Sequence, residues 1–410
     1  MTTSLRILAV FVLSSCVLVA GGCGPIRPLN SVPANLVDQA EIPGMPHVRT
    51  WGDSVDDRFI ESAAESLRQY HAYWATHPEQ RAPAIADVLA ISGGADDGAF
   101  GAGVLCGWTA RGDRPQFRLV TGISTGALIA PFAFLGPEYD AVLRSNYTTL
   151  REKDLIEFRG ILAVLDRDGL YNTHALRHLI STCMSDQTIQ AVAAEHAMGR
   201  RLLIATVNLE TQRPVIWDMG AIASSKDPKA PDLFRTVMLA SASIPGAFEP
   251  QYITVEAGGK SYEEMHVDGG SVAQVFLYGL GVNLDAIAKR SGIPDTKPPV
   301  RLFVIRNGRL YPEYQKMDAL FAPIAKRAIS SLIKSQGIGD MFRLYLQAQK
   351  EGMDFNLASI TPDFQTKGDF AFDPTYMRAI FDLAYEKAKS GTVWSKTPPY
   401  FDAIDEQGAP

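Results

Sequence analysis

The sequence lacks several features that would place it in a specialised class of protein. Its 410 residues include only four cysteines, without C-x-x-C spacing, which excludes a structural zinc ribbon and a disulfide scaffold. It has no long basic run, and its formal net charge is −6, so we expect no nucleic-acid partner. Beyond the extreme N-terminus, no apolar stretch is long enough to span a bilayer.

The composition of the chain and the pattern of its apolar runs are those of a globular α/β protein. Hydrophobic residues make up 46% of the chain and charged residues 20%, as in ordinary folded proteins. From Asp87 onward, short apolar runs that are typical of strands alternate with predicted helices. This alternation predicts one large α/β domain in three layers, with a mostly parallel central sheet and helices on both faces. The strand-like runs are Val88–Ile91, Phe117–Ile123, Arg201–Val207, Val215–Trp217 and Val300–Arg306, and the first helices are Gly98–Arg111 and Thr125–Leu135.

The C-terminal third is rich in predicted helix, over Met317–Ser335, Asp340–Glu351 and Thr375–Lys389. The first of these helices combines apolar residues with Lys326, Arg327 and Lys334. Such a helix could touch lipid. The sequence favours the alternative, in which the helix packs on the core and presents its charges to water.

The N-terminus predicts a secretory signal peptide over residues 1–22. Arg6 is followed by an almost wholly apolar run to Ala20, then by two glycines and Cys23. This ending resembles a bacterial lipobox, in which the cysteine is lipidated and becomes the mature N-terminus. Cys16 fits the local pattern better, but cleavage there would leave an apolar segment exposed, so we prefer Cys23. A plain cleaved signal and an uncleaved anchor stay open.

The residues after Cys23 suggest how the protein is held. Gly24, rather than aspartate, follows Cys23, which favours a cell-envelope lipoprotein of the outer membrane that faces the periplasm. Five prolines between Gly24 and Pro46 predict an extended tether, and Asp53–Thr76 has helical spacing. The predicted division is residues 1–22 for the signal, 23–80 for the lipidated cysteine, tether and N-terminal helix, and 81–410 for one domain. That domain has its core at 87–307 and a helical part at 308–410.

A G-x-S-x-G motif runs from Gly122 to Gly126 and has Ser124 at its centre. It follows a predicted strand and precedes a predicted helix, which is the context of a nucleophile elbow. The two glycines would let strand and helix approach closely, and the helix N-terminus would stabilise a developing oxyanion. A serine N-cap between two turn glycines is the simpler alternative.

A glycine-rich loop lies upstream, from Ser92 to Gly98, also between a strand and a helix. It lacks the Gly-Lys-Ser/Thr ending of a phosphate-binding P-loop, and Asp96 and Asp97 would repel phosphate. The other interpretation is an oxyanion hole made by the N–H groups of Gly93, Gly94 and Ala95. Neighbouring parallel strands would bring this loop and Ser124 to the same sheet edge.

The candidate base is Asp268, which ends a short predicted strand and is followed by Gly269 and Gly270. A carboxylate there can turn toward a nucleophile, provided that desolvation raises its basicity. An ordinary Asp-Gly turn is the alternative without chemistry. The seven histidines carry no comparable local signal, although His266 follows Ser124 in the chain.

Together these motifs resemble the patatin-like phospholipase family, in the family's order: glycine-rich loop with Gly98, then G-x-S-x-G, then Asp-Gly-Gly. The segment Ala240–Pro250 is similar to the small-residue and proline segment that precedes the family's aspartate strand. The resemblance covers about residues 87–307. It implies a Ser-Asp acyl hydrolase with Ser124 as nucleophile and Asp268 as base. No cofactor and no metal are expected, and membrane lipids would be both substrate and anchor surface.

Two positions depart from the family's pattern. Ala95 replaces the third loop glycine, and Asp97 replaces the usual basic residue before Gly98. Ala95 keeps its N–H group, so an oxyanion hole survives if its backbone suits a residue with Cβ. Asp97 changes the local charge, which bears on the preferred head group.

Two other function classes remain open at this point. One is a Ser-His-Asp esterase of the α/β-hydrolase type, which would use His266 or another histidine after Ser124, with an acid such as Asp166 or Asp168. The other is a catalytically silent surface lipoprotein with the same fold. The sequence identifies neither protein partners nor the acyl-chain and head-group preference.

Overall fold

The computed structural model describes residues 29–54, 57–79, 83–155, 157–160, 168–278, 284–293, 298–366 and 371–401. The predicted signal peptide, Cys16 and Cys23 lie outside these ranges. Within them, no helix combines the length and apolarity needed to cross a membrane.

The described chain is a mixed α/β structure. The strands are β1 Arg49–Trp51, β2 Ala86–Ile91, β3 Leu119–Gly122, β4 Glu157–Phe158, β5 Gly169–Asn172, β6 Arg201–Asn208, β7 Arg213–Asp218, β8 Gly246–Phe248, β9 Gln251–Ala257, β10 Lys260–Asp268, β11 Val300–Arg309 and β12 Asp354–Ile360. The helices are α1 Asp57–Thr76, α2 Gly98–Arg111, α3 Thr125–Leu135, α4 Asp140–Thr148, α5 Glu152–Leu155, α6 His174–Cys183, α7 Asp186–Ala197, α8 Met219–Ala223, α9 Ala230–Ser241, α10 Leu284–Ser291, α11 Phe321–Glu351 and α12 Pro374–Ser390.

A nine-stranded sheet forms the centre of the molecule. Seven of its strands follow the order β1-β7-β6-β3-β2-β11-β12, and the other two, β9 and β10, attach to β6 through β10. Pairing is parallel from β6 through β3, β2 and β11 to β12, and antiparallel at β7 and β1. The inner strands β2 and β6 are buried along almost their whole length, as expected when helices cover both faces. The predicted fold class is therefore confirmed. A smaller sheet of β4, β5 and β8 lies apart from this one.

The topology brings three chain segments to one edge of the sheet. Strands β2 and β3 are parallel neighbours, with Ile91 opposite Gly122, so the segments that follow both strands leave at the same side. The antiparallel hairpin β9–β10 joins β6 and places Asp268 opposite Thr206. Loops at the carboxyl ends of parallel strands are the usual place for ligand sites in such sheets.

The N-terminal segment differs from the predicted tether. Ala34–Gln39 forms a 3-10 helix, Ile42 and Met45 are buried in the main core, and β1 adds to the sheet beside β7. The Arg49 guanidinium forms a buried, two-pronged ion pair with Glu264 of β10. The described part of the segment is therefore built into the domain, because its apolar residues gain more from burial than from acting as a spacer.

The C-terminal part also differs from the sequence expectation of helices alone. Asp354–Ile360 forms β12, which pairs in parallel with β11 and closes one side of the sheet. The predicted helices Met317–Ser335 and Asp340–Glu351 are one continuous helix, α11. The second half of α11 packs on the sheet through Met341, Leu344 and Ala348. The apolar residues of its first half are exposed, so the expectation that this half packs on the core is wrong.

Candidate active site

Ser124 sits on a sharp turn between β3 and α3. Its backbone has φ 55° and ψ −125°, a combination that costs free energy for any residue with a Cβ atom. A Cβ atom at Gly126 would lie 2.3 Å from the Ile91 carbonyl oxygen, and one at Gly122 would lie 2.4 Å from the Gly126 carbonyl oxygen. Both glycines are therefore required for the close approach of strand, turn and helix, as the motif predicts.

The strained turn is held by a serine that the sequence analysis did not single out. Ser241, the last residue of α9, accepts the Ser124 backbone N–H at 3.0 Å and donates to the Ala205 carbonyl oxygen at 2.7 Å. Ser241 is completely buried. It lies in the small-residue segment that resembles the patatin family, but only the three-dimensional contact reveals what it does.

The structure brings Asp268 to Ser124. Asp268 ends β10, its carboxyl group interacts with the Ser124 side chain, and it accepts the Gly270 N–H at 2.7 Å. Its own N–H donates to the Ser243 carbonyl oxygen at 2.9 Å. Gly269 is buried against β6, where it begins a short 3-10 turn.

The electrostatic environment of Asp268 suits a base that works near neutral pH. Burial raises the pKa of its carboxyl group to about 7, against the opposing effect of hydrogen bonds from Ser124 and Gly270. Only 4% of the residue is exposed. The desolvation that the sequence argument requires is therefore present.

The glycine-rich loop lies beside Ser124 but does not offer all three predicted donors. The Gly93 N–H donates to the Gln274 carbonyl oxygen at 3.0 Å, so Gly93 is not available as an oxyanion donor. Gly94 and Ala95 donate their N–H groups to no other group in the described part of the chain. Ala95 adopts φ 50°, so a residue with Cβ does occupy the left-handed conformation here, at some cost in strain.

Hydrogen bonds to the Gly93 and Gly94 carbonyl oxygens fix the direction of these two N–H groups. Arg306 Nη1 donates to the Gly93 carbonyl oxygen at 2.7 Å, and the Asp97 N–H donates to the Gly94 carbonyl oxygen at 3.0 Å. In a planar trans peptide the carbonyl and the next N–H point in opposite directions. The N–H groups of Gly94 and Ala95 therefore point away from Arg306 and from the Asp97 amide, respectively.

Ser92 and Asn307 tie the loop to the end of β11. Asn307 donates its backbone N–H to Ser92 Oγ and its side-chain amide to the Ser92 carbonyl oxygen, both at 2.8 Å. Its side-chain oxygen accepts the Gly101 N–H at 2.9 Å, which fixes the start of helix α2, where Gly98 is the first residue. Sequence reasoning missed Asn307 and Arg306 because the residues that they contact lie more than 200 positions away.

The Asp97 side chain is directed into the protein, and no residue of the glycine-rich loop is basic. It accepts a hydrogen bond from the Tyr376 hydroxyl, and burial raises the pKa of its carboxyl group to about 6. The charges of Arg306 and Arg309 oppose that rise. The cations of β11 thus offset part of the cost of burying the Asp97 carboxylate.

An apolar cavity of about 90 Å³ opens at Ser124. Its wall includes Ala95 and Ser124, and the rest is almost entirely hydrophobic, with contributions from Leu128, Phe132, Leu150, Leu176, Leu179, Ile180, Met184, Met238, Ile244 and Phe248. Cys183 is also at this wall, and both Cys183 and the buried Cys106 are free thiols. A larger cavity of about 560 Å³ lies at the opposite edge of the sheet and touches none of the candidate residues. Because the strained Ser124 lines the smaller cavity, the candidate site lies at that cavity.

His266 is not placed to serve Ser124. One ring nitrogen lies 2.9 Å from Thr206 Oγ1 and the other 3.0 Å from Glu264 Oε2, so both are occupied deep in the core. Asp168 accepts the Tyr252 hydroxyl at 2.9 Å, and Asp166 lies outside the described residues. The arrangement needed for a Ser-His-Asp esterase based on His266 and Asp168 is therefore contradicted.

Comparison with known proteins finds a family match over part of the chain. Residues 89–279 match the model of the patatin-like phospholipase family, which implies a lipid acyl hydrolase. No curated protein matches the sequence. The crystal structure of VipD from Legionella pneumophila is a structural neighbour, with a TM-score of 0.31 and 11% sequence identity over 76% of this chain and 68% of that one. At that level of similarity, the neighbour does not bear on mechanism.

Proposed function

We propose, from the patatin-like phospholipase domain at residues 89–279, that the protein is a membrane-anchored serine acyl hydrolase. It would cleave acyl esters of lipids, as a phospholipase A or lysophospholipase does, through a Ser-Asp dyad. The observation that carries this proposal is the strained Ser124, which lines an apolar cavity and whose side chain interacts with the buried Asp268 carboxyl group.

The first chemical step is acyl transfer to the serine. The Asp268 carboxylate accepts the Ser124 hydroxyl proton while Oγ forms a bond to the ester carbonyl carbon. The carbonyl oxygen becomes an oxyanion in a tetrahedral intermediate. Its collapse breaks the ester C–O bond, and the protonated Asp268 gives its proton to the leaving alcohol.

Hydrolysis of the acyl-enzyme completes the cycle. Asp268 takes a proton from a water molecule, whose oxygen attacks the acyl carbon, and the proton returns to Ser124 Oγ as the fatty acid leaves. Since a raised pKa of about 7 lies near neutral pH, Asp268 can serve as both base and acid.

The N–H groups of Gly94 and Ala95 are the proposed oxyanion donors, together with the N-terminus of α3. Their direction is fixed before substrate arrives, by the hydrogen bonds of the Gly93 and Gly94 carbonyls. Such preorganised donors are usually the largest single contribution to catalysis. Gly93 is left out of this set, because its N–H is already used by Gln274.

The wall of the cavity indicates the substrate class. An acyl chain in this space would contact leucine, isoleucine, methionine and phenylalanine side chains, and each buried methylene group is worth about 0.8 kcal/mol. A charged group on the acyl side of the ester would lack a partner on these walls. The cavity therefore supports lipid esters over small polar esters.

The anchor is proposed on the sequence alone: lipidation of Cys23 after removal of residues 1–22. Metabolic labelling with an alkyne fatty acid tests it, using Cys23→Ser and Cys16→Ser variants of the full chain. We expect Cys23→Ser alone to abolish labelling. Labelling that depends on Cys16, or none at all, would contradict the proposal.

The catalytic proposal is tested without knowledge of the substrate, by reaction with a fluorophosphonate probe and mapping of the labelled residue by mass spectrometry. We expect labelling at Ser124 that disappears in Ser124→Ala, falls sharply in Asp268→Asn and persists in His266→Gln for the fraction that folds. Circular dichroism of each variant controls for folding. A folded protein without labelling would instead be the silent lipoprotein, and labelling that requires a histidine would replace the dyad.

A further inference from the structure

The first half of helix α11 exposes an unusual set of large apolar side chains. Phe321 is 89% exposed and Leu332 70%, and Leu320, Ile324, Ile329 and Ile333 are also exposed. Isolated exposed apolar residues are normal, but a contiguous group of this kind on a protein surface usually marks an interaction site.

These residues occupy one side of the helix, and the basic residues occupy another. At 100° per residue, Phe321, Ile324, Ile329 and Leu332 fall on one broad arc, while Lys326, Arg327 and Lys334 lie outside it. Arg327 and Lys334 reach back to the preceding loop, where Lys334 Nζ donates to the Tyr311 carbonyl oxygen at 2.9 Å. The apolar side is therefore turned away from that loop and is left exposed.

The apolar side leads directly to the candidate site. Leu332, Gln336 and Asp340 are four residues apart and share one helical face. Gln336 accepts a hydrogen bond from the Gln274 side chain at 2.9 Å, and Asp340 accepts the Gln274 backbone N–H at 2.6 Å. Gln274 in turn accepts the N–H of Gly93 in the glycine-rich loop. The exposed stretch thus begins one turn from Gln336, and Phe321 lies about 22 Å from Gln336 along the helix.

The charge of the exposed stretch indicates which kind of surface the stretch contacts. Residues 314–335 contain four basic residues and one acidic residue, although the whole chain has a net charge of −6. Lys316 and Lys326 are exposed, and neither has a salt-bridge partner within the described ranges. An apolar helical face flanked by lysines is suited to the interface of an anionic bilayer.

We propose that the segment Tyr314–Ser335 is the surface by which this protein docks on an anionic lipid bilayer. The apolar side chains of α11 would insert among the acyl chains, with Lys316 and Lys326 at the level of the lipid phosphates. This orientation would place the Ser124 cavity close to the membrane surface. The inference rests on the proposed function, since a lipid acyl hydrolase must reach lipids in a bilayer.

The test is co-sedimentation of the soluble protein, starting at Gly24 and carrying Ser124→Ala to prevent hydrolysis, with two kinds of vesicle. One is pure phosphatidylcholine, and the other also contains phosphatidylglycerol. Variants are the triple Phe321→Ser, Ile329→Ser, Leu332→Ser and the charge reversal Lys326→Glu. A matched pair compares Leu332→Ser with Leu346→Ser, since Leu346 is 61% exposed on the packed half of the same helix.

We expect the triple variant to lower the vesicle partition coefficient about a hundredfold. Lys326→Glu should lower it at least about fivefold on phosphatidylglycerol vesicles only. Leu332→Ser should weaken binding, while Leu346→Ser should not. Equal losses in both members of the pair, or unchanged binding of the triple variant, would overturn the proposal. So would a dimer in light scattering that the triple variant dissociates, with no vesicle binding in the parent protein.

Hydrolysis of a soluble short-chain ester, in the protein with Ser124 restored, separates this inference from the proposed function. Ester hydrolysis without vesicle binding would reject the docking surface and leave the hydrolase proposal standing. Vesicle binding through this surface, without esterase activity or fluorophosphonate labelling, would reject the hydrolase proposal and leave the docking surface standing. If both hold, the triple variant keeps ester hydrolysis and loses hydrolysis of vesicle lipid.

Discussion

The Ser241 hydroxyl group accepts the backbone N–H of Ser124, although the two residues are 117 positions apart in the chain. The same hydroxyl group donates to the Ala205 carbonyl oxygen, so it links the end of α9, the strained turn and β6. A helix end thereby takes up the N–H group that the unusual backbone of Ser124 would otherwise leave unpaired in the core.

Replacement of Ser241 by alanine should therefore impair the site more than the fold. It leaves the Ser124 N–H and the Ala205 carbonyl unpaired, so we expect about 10- to 100-fold slower fluorophosphonate labelling and a loss of about 1–3 kcal/mol in stability. Ser243→Ala is the matched control, since Ser243 is equally buried and its hydroxyl group donates to the Leu239 carbonyl oxygen within the same chain segment. Similar labelling rates in both variants would show that the Ser241 contact does not position Ser124.

The pH dependence of activity follows from the environment of Asp268. Burial raises the pKa of its carboxyl group to about 7, and only the ionised form can accept the Ser124 proton. We expect kcat/KM for a soluble ester to be low near pH 5 and to rise to a plateau through a midpoint of about 7. A flat profile between about pH 5 and about pH 9 would exclude Asp268 as the base.

The same carboxyl group should lower the stability of the fold above neutral pH. Its pKa is raised from 3.8 to about 7 on folding, so the folded state holds the proton more tightly than the unfolded chain. The stability penalty of the group therefore grows from about pH 4 to about pH 7 and stays constant above. We expect the stability of Asp268→Asn relative to the wild type to be about 4 kcal/mol higher at pH 8 than at pH 4.

Urea denaturation of both proteins at the two pH values measures this difference. Asp382→Asn, at an exposed position on α12, is the control and should leave the free energy of unfolding unchanged at either pH. Destabilisation by Asp268→Asn at pH 8 would mean that the carboxylate is better stabilised than its burial implies.

Two neighbouring loop positions should respond in opposite ways to a change of one methyl group. A Cβ atom at Gly94 would lie 2.0 Å from the Asn307 carbonyl oxygen, so Gly94→Ala must displace the loop. We expect a loss of kcat of about 100-fold or more. Ala95→Gly removes a Cβ atom from a residue with φ 50°, so relief of strain should offset the greater freedom of the unfolded chain.

The measurement for this pair is kcat on a soluble ester together with the midpoint of urea unfolding. Ala95→Gly should keep activity within a few-fold and stability within about 1 kcal/mol. Full activity in Gly94→Ala would show that the loop does not supply the oxyanion donors.

Filling the apolar cavity should change the preferred chain length. Leu179 is half-buried at the cavity wall, and a larger side chain there would occupy space that an acyl chain needs. We expect Leu179→Trp to reduce kcat/KM for long-chain nitrophenyl esters about 10-fold or more, while short-chain esters are little affected. Leu233→Trp, at a half-buried position away from the cavity, controls for a general effect of tryptophan. An equal loss on both esters would place the acyl chain elsewhere.

The sequence predicted the parts of the site that depend on local backbone chemistry. Ser124 and Asp268 could be found because a tight strand-to-helix turn requires glycines on both sides, and because a carboxylate at a strand end is marked by the glycines that follow. The strand-helix alternation likewise predicted the parallel sheet, and hence that the two loops share one edge.

The rest depends on contacts between distant parts of the chain, which no local pattern reports. Gly93 looks like its neighbours in sequence, yet its N–H is taken by Gln274, which lies 181 positions away. The prolines before Pro46 suggest a spacer, whereas the buried Ile42 and Met45 show that the segment belongs to the core. The spacing of the apolar residues in α11 indicates an amphipathic helix. It does not show whether protein or lipid covers the apolar side of that helix.

The packing of residues 29–51 on the domain also limits how far the domain would stand from the proposed anchor. Asn30 is already fixed to β10, where its side chain donates to the Ser261 carbonyl oxygen. If Cys23 carries the lipid, the chain between Cys23 and Asn30 can reach at most about 25 Å. The catalytic domain would then be confined to a thin shell at the bilayer, where lateral diffusion of lipids, rather than encounters in bulk solution, delivers each substrate.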